Sequence, residues 1–320
     1  LARIGGEYRE SEEVKKLLRH NTSKLVKVLM KSILSTGFLI LSVAVLLRPV
    51  YADGQSAAPW ITLLSDTVTQ GGLIRGKLNQ PGRLIALGRE VPVAPSGDFV
   101  LGLGRDYEGE LALDFQPADG GAQQLKLPVA RRDYNIQRIN GIAKKYMSPG
   151  EAALKRIRQE VALVRKTRQK TLRLEGFLEP FEWPLIGRIT GVYGSQRVFN
   201  GEPRRPHYGI DIAAPAGSLV KAPASGQVTM VHDDMYYSGG TVILDHGYGL
   251  SSTFLHLKEI HVAEGAVLKQ GDVIGTVGSS GRSTGAHLDW RINWYDQRID
   301  PAAVAGPMPK SADQKKASSH

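Results

Sequence analysis

Strict two-residue alternation of polar and apolar side chains, repeated around a few acids and histidines in the last third of the chain, most limits the fold. In His207-Tyr208-Gly209-Ile210-Asp211-Ile212 and His287-Leu288-Asp289-Trp290-Arg291-Ile292, imidazoles and carboxylates fall two or four residues apart. Successive side chains of an extended strand point to opposite faces, so residues i, i+2 and i+4 share one. His207 and Asp211 then face one way, with Tyr208, Ile210 and Ile212 turned the other. His287, Asp289 and Arg291 alternate in the same manner with Leu288, Trp290 and Ile292, and His256 is flanked by Leu255 and Leu257. Each polar group lies opposite an apolar, core-facing set, so the polar groups converge on one sheet face.

Six of the eight histidines fall between positions 207 and 287. A histidine taken singly is more often a surface or satisfied core residue than a ligand. Clustered with carboxylates in strand patterns, these histidines read as a metal centre. Catalytic zinc takes three protein ligands and leaves a fourth position for water. His207, Asp211 and one member of the later pair meet that count.

The motifs run in a definite order: Tyr193-Gly194-Ser195-Gln196-Arg197, then Asn200-Gly201-Glu202-Pro203-Arg204-Arg205-Pro206-His207-Tyr208-Gly209-Ile210-Asp211, then Ala222-Pro223 with Gly226. Asp245-His246-Gly247, Phe254-Leu255-His256-Leu257 and Gly281-Arg282-Ser283-Thr284-Gly285-Ala286-His287-Leu288-Asp289-Trp290 follow. Over roughly residues 189–303 this set resembles the LytM/lysostaphin-type zinc endopeptidases, which cut peptide cross-links in peptidoglycan. The resemblance implies a compact antiparallel β domain with a groove. It implies zinc held by His207, Asp211 and the last residue of an H-x-H motif, with His256 and His287 as the catalytic pair. One position departs from the pattern, since Asp289 stands where the second histidine of that motif is usual. A carboxylate can ligate zinc, but it lowers the formal charge of the site, which predicts a weaker Lewis acid and an alkaline-shifted pH profile. The alternative within the same fold is a catalytically weak or silent domain that binds and activates a cell-wall amidase. Retention of His207, Asp211, His256 and His287 together favours the enzyme.

With 320 residues, 42% hydrophobic and 22% charged, the chain has globular composition and length for two domains. Absence of cysteine excludes disulfides, thiolate catalysis and zinc–cysteine sites. Met30-Lys31, an apolar run over 33–47, and Val50-Tyr51-Ala52 form the pattern of a secretory signal peptide with cleavage after Ala52. An uncleaved membrane anchor is the other reading of that run. Residues 1–52 are taken as an upstream extension plus signal peptide, and the mature protein as exported, to the periplasm or cell envelope.

Residues 131–175 hold thirteen Lys/Arg against four acidic residues. That imbalance fits contact with an anionic envelope surface, or a solvated helix face. No basic motif is interleaved with aromatics, so nothing points to nucleic acid.

The fold class is mostly β. From 60 to 130, short strands broken by Pro81-Gly82, Pro95-Ser96-Gly97 and Asp119-Gly120-Gly121 predict a small immunoglobulin-like β-sandwich acting as an accessory domain or spacer. A basic linker follows at 131–188, with a helix over about 149–170 opened by Ser148 as N-cap and Pro149 as first helical residue. Leu154, Ile157, Val161 and Val164 give this helix a narrow apolar stripe suited to packing on a neighbouring domain. The antiparallel β peptidase domain occupies 189–304, and 305–320 reads as a disordered tail.

Competing motifs fail on particular residues. The Gly278–Gly285 segment lacks the Lys-Ser/Thr ending of a phosphate loop and reads as a turn positioning His287. No G-x-S-x-G elbow exists for a serine hydrolase, and no suitably flanked lysine marks a lipoyl or biotinyl carrier. His246 and Tyr193 read as structural.

Overall fold

Seven strands build the first part of the structure: β1 (Ile61–Leu63), β2 (Leu73–Leu78), β3 (Gly82–Ala86), β4 (Arg89–Val91), β5 (Asp98–Gly102), β6 (Glu110–Pro117) and β7 (Gln123–Pro128). They form two antiparallel sheets in the orders β1-β2-β5 and β4-β3-β6-β7. Alternation makes the sandwich: in β6, Leu111, Leu113 and Phe115 are fully buried while Ala112 and Asp114 are not. Trp60 stacks on Phe115 across the core with ring centroids 4.8 Å apart. This computed structural model describes residues 58–140 and 149–309. The signal-peptide pattern, Ser148 and the tail beyond residue 309 lie outside the described residues. Among the described residues, no helix is long and apolar enough to cross a membrane.

Part of the expected linker is strand. β8 (Ile136–Ile139) pairs in parallel with β10 (Gln196–Phe199), which pairs in turn with β11 (Glu202–Pro203). Helix α1 (Glu151–Gln169) follows β8. It starts two residues later than Pro149, because Gly150 holds extended backbone (φ −67°, ψ 167°) and serves as N-cap without a side chain.

The apolar stripe of α1 does not bury as a packed interface. Leu154 and Val161 stay exposed, and Val164 alone of the four packs on the Met230, Met235 and Ile243 cluster. Polar contacts hold the helix instead. The Glu160 carboxylate accepts the Tyr236 N–H at 3.0–3.1 Å, Arg156 pairs with Asp234 at 3.1 Å, and Arg168 donates to Thr253 Oγ1 at 2.8 Å.

The remaining strands are β9 (Arg188–Gly191), β12 (Ile210–Ala213), β13 (Leu219–Lys221), β14 (Gly226–Met235), β15 (Gly239–Gly247), β16 (Leu250–Ile260), β17 (Val267–Leu268), β18 (Val273–Val277), β19 (His287–Trp294) and β20 (Gln297–Ile299). They make a ten-stranded sheet whose main path is β17-β14-β15-β16-β19-β12-β9, with β18 joining β13 to β16 and β20 lying on β19. A short helix, α2 (Pro301–Ala305), closes the fold and is capped by the Asp300 side chain. Apolar residues of the sandwich and of this sheet form one contiguous core. Asp300 bridges the two regions: its N–H donates to the Gly71 carbonyl at 2.8 Å and its carboxylate pairs with Arg132 at 2.7 Å.

His246 is inside that core, fully buried in β15. Its Nδ1 donates to the Ser225 carbonyl and its Nε2 accepts from Ser252 Oγ, each at 2.9 Å. Burial lowers its pKa from 6.5 to about 4, so the unfolded chain takes up a proton that the folded chain refuses. Stability is therefore lost as pH falls from about 6.5 to about 4. Neighbouring Asp245 acts oppositely, because burial raises its carboxyl from 3.8 to about 6 and stability from that group is lost as pH rises through this window. The two effects largely offset each other. Asp245→Asn, which can still accept the Gly247 N–H, should destabilise more steeply on acidification from pH 6 to about 4 than the parent. Urea denaturation at stepped pH measures this, and equal slopes would remove the assignment.

Candidate metal centre and its groove

β12 lies between β19 and β9, and its register places Ile210 opposite Trp290, Asp211 opposite Asp289 and Ile212 opposite Leu288. Ile210, Ile212, Leu288 and Trp290 are buried, which turns the two carboxylates to the same outer face. His207 precedes the strand. Backbone bonds from His207 N–H to the Ser195 carbonyl and from Gly194 N–H to the His207 carbonyl, both 2.8 Å, bring it alongside Asp211. The ligand-capable atoms of His207, Asp211 and Asp289 all lie within 4.8 Å of one another. His207 Nε2 and Asp211 Oδ1 are 3.3 Å apart, and both are buried without a hydrogen bond.

Asp289 is tied to Arg291, two residues along the same face of β19. Arg291 Nε donates to Oδ1 at 3.0 Å and its Nη2 to Oδ2 at 2.5 Å. Burial by itself would raise the Asp289 carboxyl, but the charge and hydrogen bonds of Arg291 outweigh it and hold the pKa below the ordinary value.

The other two predicted histidines sit beside this cluster, with ring centroids 4.8 Å apart. His287 Nδ1 donates to the Gly285 carbonyl at 2.8 Å, and His256 Nδ1 to the Ser280 carbonyl at 2.8 Å. A carbonyl accepts only, so both rings carry a proton on Nδ1, and in the neutral ring Nε2 is then the nitrogen with the lone pair. The Gly278–Gly285 turn thus orients both rings, not His287 alone. His287 Nε2 is 3.8 Å from Asp211 Oδ1. His256 departs from the expected alternation: Leu255, His256 and Leu257 are all buried, and His256 has φ +63°. Left-handed backbone is uncommon for a residue other than glycine, and here it swings the imidazole out of the strand's regular side-chain order. Burial, the largest influence on it, lowers the His256 pKa from its ordinary value, which favours the neutral ring.

The cluster opens into a groove of about 1670 Å³ with α1 along one wall. Tyr193 is structural, buried with its hydroxyl donating to the Arg298 carbonyl at 2.7 Å. Sequence reasoning missed the role of Arg291, although its spacing from Asp289 already placed both on one strand face.

One imidazole and two carboxylates within reach of a single cation, beside two further imidazoles, form a donor set that could hold a metal ion. Residues 205–301 match the model of Peptidase family M23, and this segment belongs to that family, of LytM type. The DD-carboxypeptidase/endopeptidase Mpg of Neisseria meningitidis serogroup B is 42% identical over 113 residues, 35% of this chain and 26% of that protein. Peptidoglycan DD-endopeptidase ShyB of Vibrio cholerae is 32% identical over 106 residues, 33% of this chain and 25% of that protein. The chain thus spans about a quarter of the length of these curated relatives. A Pseudomonas aeruginosa crystal structure, solved as a candidate peptidase M23, is 28% identical and covers 77% of this chain and 97% of the other, with a TM-score of 0.58.

Two glycines are demanded by the cluster. A Cβ at Gly191 would lie 2.2 Å from Asp211 Oδ2, and one at Gly209 would lie 2.5 Å from Asp289 Oδ1. Gly191→Ala should displace the Asp211 carboxylate and weaken divalent-metal binding by about tenfold or more, with far-ultraviolet circular dichroism unchanged. Competition with a chromogenic chelator measures the affinity; an unaltered value would mean that Asp211 does not hold the metal.

Proposed function

We propose that this protein is a zinc-dependent endopeptidase of the cell envelope, periplasmic or wall-associated, that hydrolyses stem-peptide or cross-link bonds of bacterial peptidoglycan. The observation that carries the reading is the facing pair His207 Nε2 and Asp211 Oδ1, buried and without hydrogen bonds beside the Asp289 carboxylate. Buried polar atoms left unpaired are costly, and a divalent cation bound by all three residues satisfies them. A nitrogen and oxygen donor set without sulfur suits zinc in a catalytic site. The named activities of the Neisseria and Vibrio relatives support peptidoglycan as the substrate.

Zinc in such a site supplies a Lewis acid that acidifies water and polarises a carbonyl. The protein's own part is proton handling and orientation. His256, which burial favours in its neutral form and Ser280 fixes, offers Nε2 to take a proton from the attacking water and to pass that same proton on to the leaving amine. His287 offers a second Nε2 that accepts a hydrogen bond from the water and orients it. Gly285 and Ser280 keep the rings aimed through their Nδ1–H groups. The left-handed backbone at His256 is then the local strain that places one of them.

Arg291 changes the expectation drawn from Asp289. A second carboxylate lowers the charge of the site, but the guanidinium bound to it restores that charge, so the reason for an alkaline-shifted profile disappears. In Asp289→His, Arg291 would be left with no carboxylate partner in a setting where it is only 24% exposed. That variant should lose roughly 1–3 kcal/mol of stability, and Asp289→His/Arg291→Gln should recover most of it. Chemical denaturation of the parent and the two variants, reported as one double-mutant comparison, tests the pairing.

Roles divide cleanly among the histidines. His207→Ala should lose metal and activity together. His256→Ala should keep the metal and lose about 10²–10⁴ in turnover. Metal content and mass-spectrometric analysis of digested muropeptides measure both. Equal metal loss in the two variants contradicts the division, and full metal with no cleavage by the parent would replace the enzyme with the silent, amidase-activating reading.

A further inference from the structure

Beside the metal triad the groove carries three arginines that, among the described residues, form no ion pair, although Asp296 also lines it. Arg205 and Arg298 flank one ring, their guanidinium carbons 5.5 and 5.8 Å from the centre of Tyr208. Arg298 Nη1 donates to Asn293 Oδ1 at 3.1 Å, two residues along β19 from Arg291. Arg168 reaches in from α1 to Thr253, the cross-strand partner of Arg291. All three line the groove that holds His207, Asp211, His256 and His287.

Among the described residues, none of the three has a carboxylate within ion-pair distance; Arg291 alone of this group does. Arg168 Nε is buried with no hydrogen-bond partner, as are Nε and Nη2 of Arg204, which also lines the groove. Glu160, the acidic residue of α1 in the groove, is already taken by Arg156 and the Tyr236 N–H.

Crowding of this kind is costly. Burial, then the charges of Arg291 and Arg205, push Arg298 down to about 10. Burial and the charges of Arg298, Arg291 and Arg205 likewise hold Arg168 well below the usual arginine range. A surface that only needed solubility would pair or fully expose Arg168 and Arg298, as it does expose Arg205. An oxyanion placed among them would remove the repulsion and fill the empty donors of the guanidinium forks.

We propose that Arg168, Arg205 and Arg298 form a carboxylate-binding subsite beside the metal triad, which takes a free acid group of the peptide being cut. The inference rests on the peptidase reading for its choice of ligand. Carboxylate and phosphate both suit guanidinium forks, but a group bound here shares one groove with the histidines, so it belongs to the molecule whose bond reaches them. An acidic stem peptide meets that condition. The subsite would select its free acid over its amide and fix which way the strand lies across the sheet. Because Arg168 comes from α1, the connecting helix becomes part of substrate recognition.

The test separates binding from turnover. A synthetic stem pentapeptide with N-methylated, uncleavable peptide bonds, and the same peptide with every carboxylate amidated, are titrated into the full chain by calorimetry. Inorganic phosphate is a third ligand. The acid should bind about tenfold or more tightly than the amide. Arg168→Gln, and Arg205→Gln at an exposed position that tolerates change, should each bring that ratio close to one, while Arg168→Lys keeps part of it. Equal binding of acid and amide, or a ratio unchanged in both glutamine variants, overturns the subsite. Tighter binding of phosphate than of the acid peptide overturns the peptide assignment in favour of a phosphate-bearing polymer. Cleavage of the unmodified pentapeptide and of cross-linked muropeptides, followed separately, reports on the peptidase reading, so a selective protein that cuts neither would keep the subsite and lose the enzyme.

Discussion

Two carboxylates placed directly opposite each other, Asp211 on β12 and Asp289 on β19, set the terms for everything around them. Like charges across an antiparallel pair repel and weaken it. A one-residue slip would relieve the contact but turn Ile210, Ile212, Leu288 and Trp290 out of the core, so the apolar register wins. The charges must then be met from the other side. His207, Arg291 and the site's capacity for a cation do this, each on a different flank. Gly191 and Gly209 give the carboxylates the room they need.

Rigidity and strain are divided between sheet and turn. The metal-capable acids stand on strands whose inner faces are sealed, while the two histidines with free lone pairs depend on carbonyls of one turn, those of Ser280 and Gly285. That arrangement fixes which ring nitrogen is bare, a property the chemistry requires and an isolated imidazole lacks. His246 shows the contrast. Its two nitrogens are both satisfied inside the core, and its lowered pKa reports burial, not work.

Charge is balanced at the triad and left unbalanced a short way along the groove. Asp289 and Arg291 neutralise one another, whereas the arginines around Tyr208 crowd together without forming an ion pair among the described residues. The same helix that contributes Arg168 is held to the sheet by Glu160 on the Tyr236 N–H and Arg156 on Asp234 more than by its apolar stripe. Its stripe residues Ile157, Val161 and Val164 line the groove wall. Helix, turn and sheet therefore meet at one cavity in which the proposed hydrolysis and the proposed selection of an acid group are neighbours.

Much of this was readable before folding. Period-two alternation reports which face of a strand a residue occupies, so Asp211, His287 and Asp289 could be put on one polar face, and a mostly β architecture with a strand-rich first part followed from turn residues at short spacing. Alternation says nothing about residues that leave the strand order, which is why the left-handed turn of His256 was not visible. Nor does it report partners far apart in sequence. That Asp289 is neutralised two residues on by Arg291 was within reach of the pattern. That Arg168, from a helix more than thirty residues before His207, arrives beside Arg205 and Arg298 was not, because helix periodicity shows a stripe but not what covers it. Local chemistry along the strands determined the donor set; only the packing of α1 against the sheet decided the charge that surrounds it.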